Sequence, residues 1–175
     1  MYPQKIAITG FMCSGKTTVA RALGQLLGCR VIDLDEAIVV SEGRNPANMI
    51  ECDGENAFRE TETRVLATLL SNDPGSVISL GGGTWTVEGN RRLLAEHVYR
   101  TVWLDAPFEL CWKRIEEDAA TRPLAGSHAI AKQLYQDRLN VYGLSHYRCA
   151  ITGVDTSEEI AKEIAALVLR DGENS

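Results

Sequence analysis

Short apolar runs alternate with longer amphipathic segments along the chain. Because consecutive apolar residues indicate strands buried on both faces, the runs predict five strands, at 5–9, 30–33, 76–80, 100–104 and 148–152. Apolar residues recur at helical spacing near 16–27, 35–42, 46–52, 55–71, 88–96, 107–117, 129–142 and 157–169. This alternation predicts one α/β domain over residues 1–175, with a five-stranded parallel sheet between two helical layers (α/β/α).

The first predicted strand leads into a glycine-rich turn. Residues 10–17 read G-F-M-C-S-G-K-T, which matches G-x-x-x-x-G-K-[ST], and a predicted helix follows at once. A strand, a glycine-rich turn and a helix N-terminus together aim backbone N–H groups at an anion. The motif therefore predicts a nucleoside triphosphate site, in which Lys16 contacts the β- and γ-phosphates and Thr17 binds Mg²⁺. The expected nucleotide-binding residues here are Cys13, Ser14, Gly15, Lys16, Thr17 and Thr18.

Two carboxylates follow the second predicted strand, Asp33 and Asp35. If the chain stays extended, both side chains point to the same face. One carboxylate, for which we select Asp33, can hold Mg²⁺ through water, and the other can orient an attacking hydroxyl group. Helix capping is the alternative for either residue alone. Asp105 also ends a predicted strand, but Pro107 soon afterwards favours a helix cap there.

Two further segments suggest a ligand. Arg59 lies on a predicted helix, three residues before Glu62, which can hold its guanidinium group for bidentate capture of an anion. From this segment alone, an ordinary surface ion pair is the more common explanation. The third predicted strand runs into Gly81, Gly82 and Gly83, and three glycines are better explained by close approach of a ligand than by a simple turn.

Residues 117–127 form a polar connection that contains Pro and Gly and separates two predicted helices. Such a segment is either a plain surface loop or a mobile flap over a site. Arg122 lies within it, Arg114 precedes it and Arg138 follows it, and each could be a solvated surface arginine. Arg122 is the best placed to close onto phosphates.

Composition narrows the partners. The formal net charge is −6, which argues against nucleic acid or an anionic membrane as the main partner. No apolar stretch approaches the roughly 20 residues of a membrane span, and no signal peptide is expected before the first strand. The five cysteines lack metal-ligand spacing and are expected to be reduced. We therefore expect a cytoplasmic protein that acts on small molecules, as a monomer.

With these motifs assembled, the chain resembles the shikimate kinases over nearly its full length. The matching pieces are the phosphate loop, Asp33-Leu34-Asp35, Gly54-Glu55, Phe58-Arg59-x-x-Glu62, the three glycines, Arg122-Pro123-Leu124, and Arg138 followed by Tyr142. The resemblance implies a P-loop kinase fold like that of the nucleoside monophosphate kinases, with a short lid near 117–128 and a substrate-binding region near 34–62. It also implies transfer of the γ-phosphoryl group of ATP, with Mg²⁺, to the 3-hydroxyl of shikimate.

The resemblance also implies a role for each matching residue. Asp35 would bind the substrate hydroxyls and orient the attacking one, and Asp33 would hold magnesium through water beside Thr17. The remaining roles are carboxylate binding by Arg59 and Arg138, ring-hydroxyl contacts from the backbone of Gly82 and Gly83, phosphate neutralisation by Lys16 and Arg122, and adenine stacking by Arg114. The chain departs from the family pattern at Cys13, Ala125 and Asn140, where glycine, leucine and proline are usual.

Two alternatives remain open from the sequence. The first is another small-molecule kinase of the same fold, acting on gluconate or a nucleoside monophosphate; no segment clearly provides for a second base. The second is a nucleotide-binding regulator without activity, against which the intact set of Lys16, Thr17, Asp33 and Asp35 argues. A GTPase is disfavoured because the chain has no N-K-x-D motif.

Overall fold

A computed structural model of the chain describes residues 5–73, 75–117 and 126–172. Most of the expected lid, including Arg122, lies outside the described residues. Among the described residues, no helix combines the length and the apolar character that a membrane crossing requires.

Strands and helices alternate as the sequence pattern predicts. The strands are β1 (Ile6–Thr9), β2 (Arg30–Asp33), β3 (Ser76–Ser79), β4 (Arg100–Asp105) and β5 (Tyr147–Ala150). Within the described ranges the helices are α1 (Lys16–Leu27), α2 (Leu34–Glu42), α3 (Pro46–Asp53), α4 (Glu55–Ser71), α5 (Glu88–Glu96), α6 (Phe108–Glu117), α7 (His128–Tyr142) and α8 (Ser157–Gly172). A 3₁₀ helix at Thr84–Thr86, absent from the sequence prediction, joins β3 to α5.

The five strands form one parallel sheet in the order β2-β3-β1-β4-β5. Every residue of β1 and of β3 is buried, which requires cover on both faces of the sheet. Helices α1 and α8 pack against each other, while α7 packs on the 3₁₀ helix and α5 on α4. The predicted fold class, an α/β/α arrangement around a five-stranded parallel sheet, is confirmed.

The strand order determines where a ligand can bind. From β1 the chain crosses to the outer strand β2, returns to β3, and then passes to β4 on the other side of β1. In open parallel sheets a crevice forms beyond the carboxyl ends of the strands, where the direction of winding reverses. Here the phosphate loop, Asp33 and the three glycines follow β1, β2 and β3, so this topology brings all three to one edge of the sheet.

The strand ends differ slightly from the expected ones. Strand β5 begins one residue earlier and ends two residues earlier than predicted. It ends early because the Asp155 carboxylate accepts hydrogen bonds from the backbone N–H (2.8 Å) and the hydroxyl (2.6 Å) of Thr152, which turns the chain. Strand β4 extends one residue further than predicted, to Asp105, whose carbonyl accepts from the Ile151 N–H at 2.9 Å.

Asp105 does not act as the helix cap that its sequence context suggested. It is the last residue of β4, and its carboxylate accepts hydrogen bonds from Nε and Nη2 of Arg148, on the neighbouring strand β5, at 2.8 and 2.5 Å. Because β4 and β5 are neighbouring strands, the side chains of Asp105 and Arg148 lie close enough to form this ion pair. The carboxylate therefore joins β4 to β5.

Helix α5 ends in a strained turn. The N–H groups of Val98 and Tyr99 donate to the carbonyls of Ala95 and Leu94 at 3.0 and 2.9 Å, and Val98 has a φ of 61°. This left-handed conformation costs a residue with a side chain about 1–2 kcal/mol and suits glycine. Since the Val98 residue is 77% exposed, little packing offsets that cost.

We therefore expect Val98→Gly to stabilise the protein. The gain from relieved strain exceeds the added chain entropy of glycine by roughly 0.5–1 kcal/mol, which corresponds to a rise in Tm of roughly 1–4 °C. Thermal denaturation followed by circular dichroism measures the shift. Val40→Gly is the matched control, because Val40 is 87% exposed but lies inside α2, and its Tm should fall. If the Tm of Val98→Gly fell as much as that of Val40→Gly, the result would contradict the proposed backbone strain at Val98.

Candidate active site

A cavity of about 460 Å³ lies beyond the carboxyl ends of the central strands. It contains residues from every segment that the sequence singled out at the ends of β1, β2 and β3. Its lining includes Met12, Cys13, Ser14, Gly15, Lys16, Thr17, Thr18, Asp33, Asp35, Gly81, Gly82 and Arg114. The predicted nucleotide residues and the predicted acidic pair thus share one cavity.

The phosphate loop forms one wall. Gly15 takes a φ of 100°, which glycine adopts without strain, and α1 begins at the next residue. The first N–H groups of a helix have no partner within it, so the start of α1 presents donors to an anion. The ammonium group of Lys16 lies over the same loop and donates to the Phe11 carbonyl at 2.7 Å.

Cys13 keeps the loop conformation despite its side chain. Its φ of 58° lies in the left-handed region, where glycine has no steric cost and a residue with a side chain does. Arg114 Nη1 donates to the Cys13 carbonyl at 3.0 Å. Cys13 therefore adopts a backbone conformation that suits glycine, at a cost of about 1–2 kcal/mol.

Asp33 connects the loop to the second strand. One carboxylate oxygen accepts from the Thr17 hydroxyl at 2.6 Å. The other caps helix α2, accepting from the N–H groups of Asp35 at 3.0 Å and Glu36 at 3.2 Å. The sequence left helix capping and a magnesium-site position as alternatives for Asp33. In the structure its carboxylate caps α2 and also lies beside Thr17.

The residues around Thr17 suit Mg²⁺. The Ser79 hydroxyl oxygen lies 3.3 Å from that of Thr17, so two hydroxyls and the Asp33 carboxylate meet here. Mg²⁺ prefers oxygen ligands and keeps several waters, taking only one or two carboxylates from a protein. No cluster of three or more His, Cys, Asp or Glu that could hold a metal occurs in the described ranges. The donor set therefore fits a magnesium ion held mainly by phosphate and water.

Asp35 lines the cavity, but its backbone conformation differs from the expected one. Strand β2 ends at Asp33, and Asp35 lies in the first turn of α2 rather than on an extended chain. Because Asp33 caps the helix, the chain leaves the extended conformation before Asp35. The direction of the Asp35 side chain therefore follows from the helix and not from the alternation of side chains along a strand. Asp35 lines the cavity, and a Cβ built on Gly81 would lie 3.1 Å from its Oδ1. The carboxylate therefore lies against the glycine segment.

Arg59 is half-buried and pairs with the buried Glu62, unlike the surface ion pair that was the more common explanation from sequence. Arg59 Nη1 donates to Glu62 Oε2 at 2.9 Å, and Nη2 donates to Glu55 Oε1 at 3.1 Å. The Glu62 side chain is only 1% exposed, and its other oxygen accepts from the Thr84 hydroxyl at 2.7 Å. Burial raises the pKa of Glu62, while the Arg59 charge and the Thr84 hydrogen bond oppose that rise.

The glycine segment Gly81–Gly83, which we call the glycine ledge, needs the absence of side chains. A Cβ on Gly83 would lie 2.2 Å from Nη2 of Arg59, and one on Gly82 would lie 3.2 Å from the Met12 nitrogen. In the described part of the chain, the three N–H groups of the ledge donate to no protein acceptor. They remain available to a ligand.

Arg138 approaches the ledge from α7. It is buried, and its Nη1 donates to the Gly82 carbonyl at 3.2 Å. Tyr142, one helical turn later, donates to the same carbonyl at 2.6 Å. The guanidinium groups of Arg59 and Arg138 thus contact adjacent residues of the ledge, although neither lines the main cavity as delimited above.

The sequence analysis missed one wall of the cavity, which lies beside Arg114. Ile151, Gly153, Asp155, Ser157 and Ile160 line the cavity together with Arg114. This segment is held by its own hydrogen bonds: Asp155 accepts from Thr152, and Thr156 and Glu159 exchange side-chain-to-backbone bonds of 2.9 and 3.2 Å in a capping box. The Thr-x-x-Glu pattern could have been recognised in the sequence, but nothing local shows that it faces the cavity.

Comparison with known proteins agrees with this geometry. The family model described as shikimate kinase matches residues 12–169. A shikimate kinase of Ruegeria pomeroyi is 38% identical over 170 residues, which cover 94% of this chain and 85% of that protein.

Two solved structures extend the comparison to the fold. A shikimate kinase from Acinetobacter baumannii in complex with shikimate superposes with a TM-score of 0.88 at 32% identity, covering 97% of this chain and 94% of that one. The enzyme from Aquifex aeolicus gives a TM-score of 0.80 at 31% identity and covers 97% and 99%. Sequence and fold agree, and the chain belongs to the shikimate kinase family.

Proposed function

We propose that this chain transfers the γ-phosphoryl group of ATP to the 3-hydroxyl of shikimate, forming shikimate 3-phosphate and ADP. The observation that carries the proposal is the single cavity in which the phosphate loop and Asp35 meet the glycine ledge. Two guanidinium groups lie against that ledge. A carboxylated polyol needs cations for its carboxylate and both acceptors and donors for its hydroxyls.

The nucleotide would occupy the side of the cavity formed by the phosphate loop. The N–H groups at the start of α1 and the backbone of residues 13–18 hold the phosphates, and Lys16 balances the charge on the β- and γ-phosphates. Arg122 lies outside the described residues, and its role at the phosphates rests on the motif that contains it. The adenine would lie between Arg114 and the wall of residues 151–160, since both line the cavity.

Magnesium would lie beside Thr17. The hydroxyl of Thr17 would bind the ion directly, and Asp33 would hold it through water. When bound, the ion offsets negative charge on the β- and γ-phosphates. Asp33 also keeps Asp35 in place, because its other oxygen caps the helix that carries Asp35.

Asp35 would act on the attacking hydroxyl group. Its carboxylate can accept a hydrogen bond from the 3-hydroxyl and orient it toward the γ-phosphate. The N–H groups of Gly82 and Gly83 would donate to ring hydroxyls. Phosphoryl transfer has a loose transition state, so correct orientation supplies much of the catalysis.

The substrate carboxylate would lie between Arg59 and Arg138. Glu62 and Glu55 hold two N–H groups of the Arg59 guanidinium, and its remaining donors can make a paired contact with a carboxylate. Arg138 approaches from the opposite element, α7. The region 34–62 would thus bind the acceptor, as part of one domain.

The wider setting follows from the same features. The phosphate loop, Asp35 and the glycine ledge of this chain meet in one cavity, and we expect a monomer. All five cysteines are free thiols, which suits the reducing cytoplasm where ATP is abundant. The acidic net charge of −6 argues against nucleic acid and anionic membranes as partners.

An ADP-release assay tests the proposed function. Purified protein with ATP and Mg²⁺ should turn over shikimate but not gluconate, AMP or CMP, because only a carboxylated ring polyol satisfies both the arginines and the ledge. Quinate is included as the nearest analogue. Turnover with a nucleotide but not with shikimate would overturn the substrate, and no turnover with any acceptor would favour a regulator.

We expect Asp35→Asn to lower kcat for shikimate by at least about 100-fold, because the amide cannot accept the hydroxyl proton or orient it equally well. ATP affinity, measured by titration calorimetry, should stay near that of the unchanged protein. Glu36→Gln is the matched control, since Glu36 is exposed and pairs with Arg21 at 2.7 Å. A kcat near normal for Asp35→Asn would remove Asp35 from the mechanism.

Arg59→Ala should raise the KM for shikimate roughly 10- to 100-fold, the usual cost of losing a charged hydrogen-bonded contact, and leave the KM for ATP within about twofold. Arg59→Lys should also raise the KM for shikimate, because an ammonium group cannot make the paired contact. The lysine variant keeps a positive charge beside the buried Glu62, so it can be measured even if the alanine variant is unstable.

Arg64→Ala serves as the control for Arg59. Arg64 lies on the same helix, is 59% exposed and pairs with Glu42 at 3.0 Å. Its substitution should leave both KM values unchanged. Equal effects of the Arg59 and Arg64 variants on shikimate, or none from either, would contradict the proposed carboxylate contact.

A further inference from the structure

The Gly82 carbonyl differs from its two neighbours in the glycine ledge. The carbonyls of Gly81 and Gly83 accept from Thr84 and Thr86 within the same turn, at 3.2 and 3.0 Å between backbone atoms. In the described residues, Gly82 is the member of the ledge whose carbonyl is bound from another element, helix α7. The position of this peptide group therefore depends on α7.

Two side chains of α7 share that carbonyl. Tyr142 and Arg138 are four residues apart, so they lie on the same face of the helix. The Tyr142 hydroxyl makes the shorter bond, 2.6 Å, and Arg138 Nη1 the longer one, 3.2 Å. A carbonyl has two lone pairs and can accept both, but the short bond from tyrosine is the stronger.

Tyr142 is placed to make this bond permanent. It is fully buried and its ring packs near Trp103, with 6.0 Å between ring centroids. Burial raises the pKa of Tyr142 to about 12, so the hydroxyl keeps its proton at any physiological pH. The hydroxyl is thus a constant donor to the ledge.

Holding the carbonyl also fixes a donor on the other side. The Gly82 carbonyl and the Gly83 N–H belong to one planar trans peptide group and point in opposite directions. When Tyr142 draws the carbonyl toward α7, the Gly83 N–H is directed away from that helix. Arg138 then makes one long bond to the ledge, and its guanidinium group also lies within hydrogen-bonding range of the Tyr142 hydroxyl.

We propose that Tyr142 is a positioning residue for the acceptor: its hydroxyl holds the Gly82 carbonyl, which orients the Gly83 N–H and leaves the other N–H groups of Arg138 to bind the substrate carboxylate. The inference rests on the proposed function, since it assigns Arg138 to the carboxylate of shikimate. Without the hydroxyl, Arg138 is the remaining side-chain donor to a buried carbonyl and is drawn toward it.

Removal of the hydroxyl should not unfold the ledge. Trp85 Nε1 donates to the Val141 carbonyl at 2.9 Å, which ties the 3₁₀ helix to the same turn of α7. In Tyr142→Phe that bond and the ring packing both remain. The loss is one hydrogen bond at the Gly82 carbonyl.

The test is a double-mutant cycle with steady-state kinetics. In Tyr142→Phe the KM for shikimate should rise roughly tenfold, and the KM for ATP and kcat should stay within about twofold. In Arg138→Met the KM for shikimate should rise as well. Adding Tyr142→Phe to Arg138→Met should raise the KM by a smaller factor than Tyr142→Phe does alone, because the tyrosine acts partly through the arginine.

Tyr135→Phe is the matched control for stability. Tyr135 lies on the same helix and donates to the Ala106 carbonyl at 3.1 Å, away from the ledge. The two tyrosine variants should show similar falls in Tm, while only Tyr142→Phe changes the KM for shikimate. A purely structural role would change both substrates or neither.

Three results would overturn the proposal: an unchanged KM for shikimate in Tyr142→Phe, equal rises for shikimate and ATP, or the same rise with and without Arg138. Turnover of shikimate by the unchanged protein distinguishes a failure of the Tyr142 proposal from a failure of the proposed function. If that turnover is absent, the function fails and the role of Tyr142 fails with it. If the unchanged protein turns over shikimate, the KM values of the variants alone decide whether Tyr142 has the proposed role.

Discussion

The carboxylate of Asp33 connects the two halves of the site. One oxygen accepts from the Thr17 hydroxyl at the start of α1, and the other caps α2, the helix that carries Asp35. The distance between the phosphate loop and the proposed acceptor side therefore depends on one side chain. Because a cap contributes about 1 kcal/mol and a charge-assisted bond somewhat more, this carboxylate both stabilises the fold and aligns the chemistry.

Much of the fold could be predicted because its strands are buried on both faces. Continuous apolar runs such as Ile6–Thr9 carry that information locally, and the alternation of strands and helices then leaves few topologies. Element ends were less predictable, since they depend on side-chain hydrogen bonds. Asp155 ends β5 before its predicted end, and Asp33 turns β2 into α2, so Asp35 lies on a helix and not on the extended chain from which its direction was predicted.

The candidate site was predictable where a motif has its own local geometry, as in the phosphate loop. It was less predictable where burial decides the chemistry. Arg59 and Glu62 read as a surface pair because the contact that buries Glu62 comes from Thr84, 22 positions away. The wall at residues 151–160 has no chemical signature of its own and joins the cavity only through the position of β5 beside β4.

Cys13 gives the phosphate loop a dependence on α6. Its left-handed backbone opposes the intrinsic preference of the residue, and the bond from Arg114 to its carbonyl supports the strained form from outside the loop. Thermodynamic linkage makes such support reciprocal. A nucleotide that binds this conformation of the loop must also favour the Arg114 contact, by the same free energy with which that contact favours the nucleotide. In this chain the free energy of phosphate binding therefore depends in part on α6, the helix that carries Arg114.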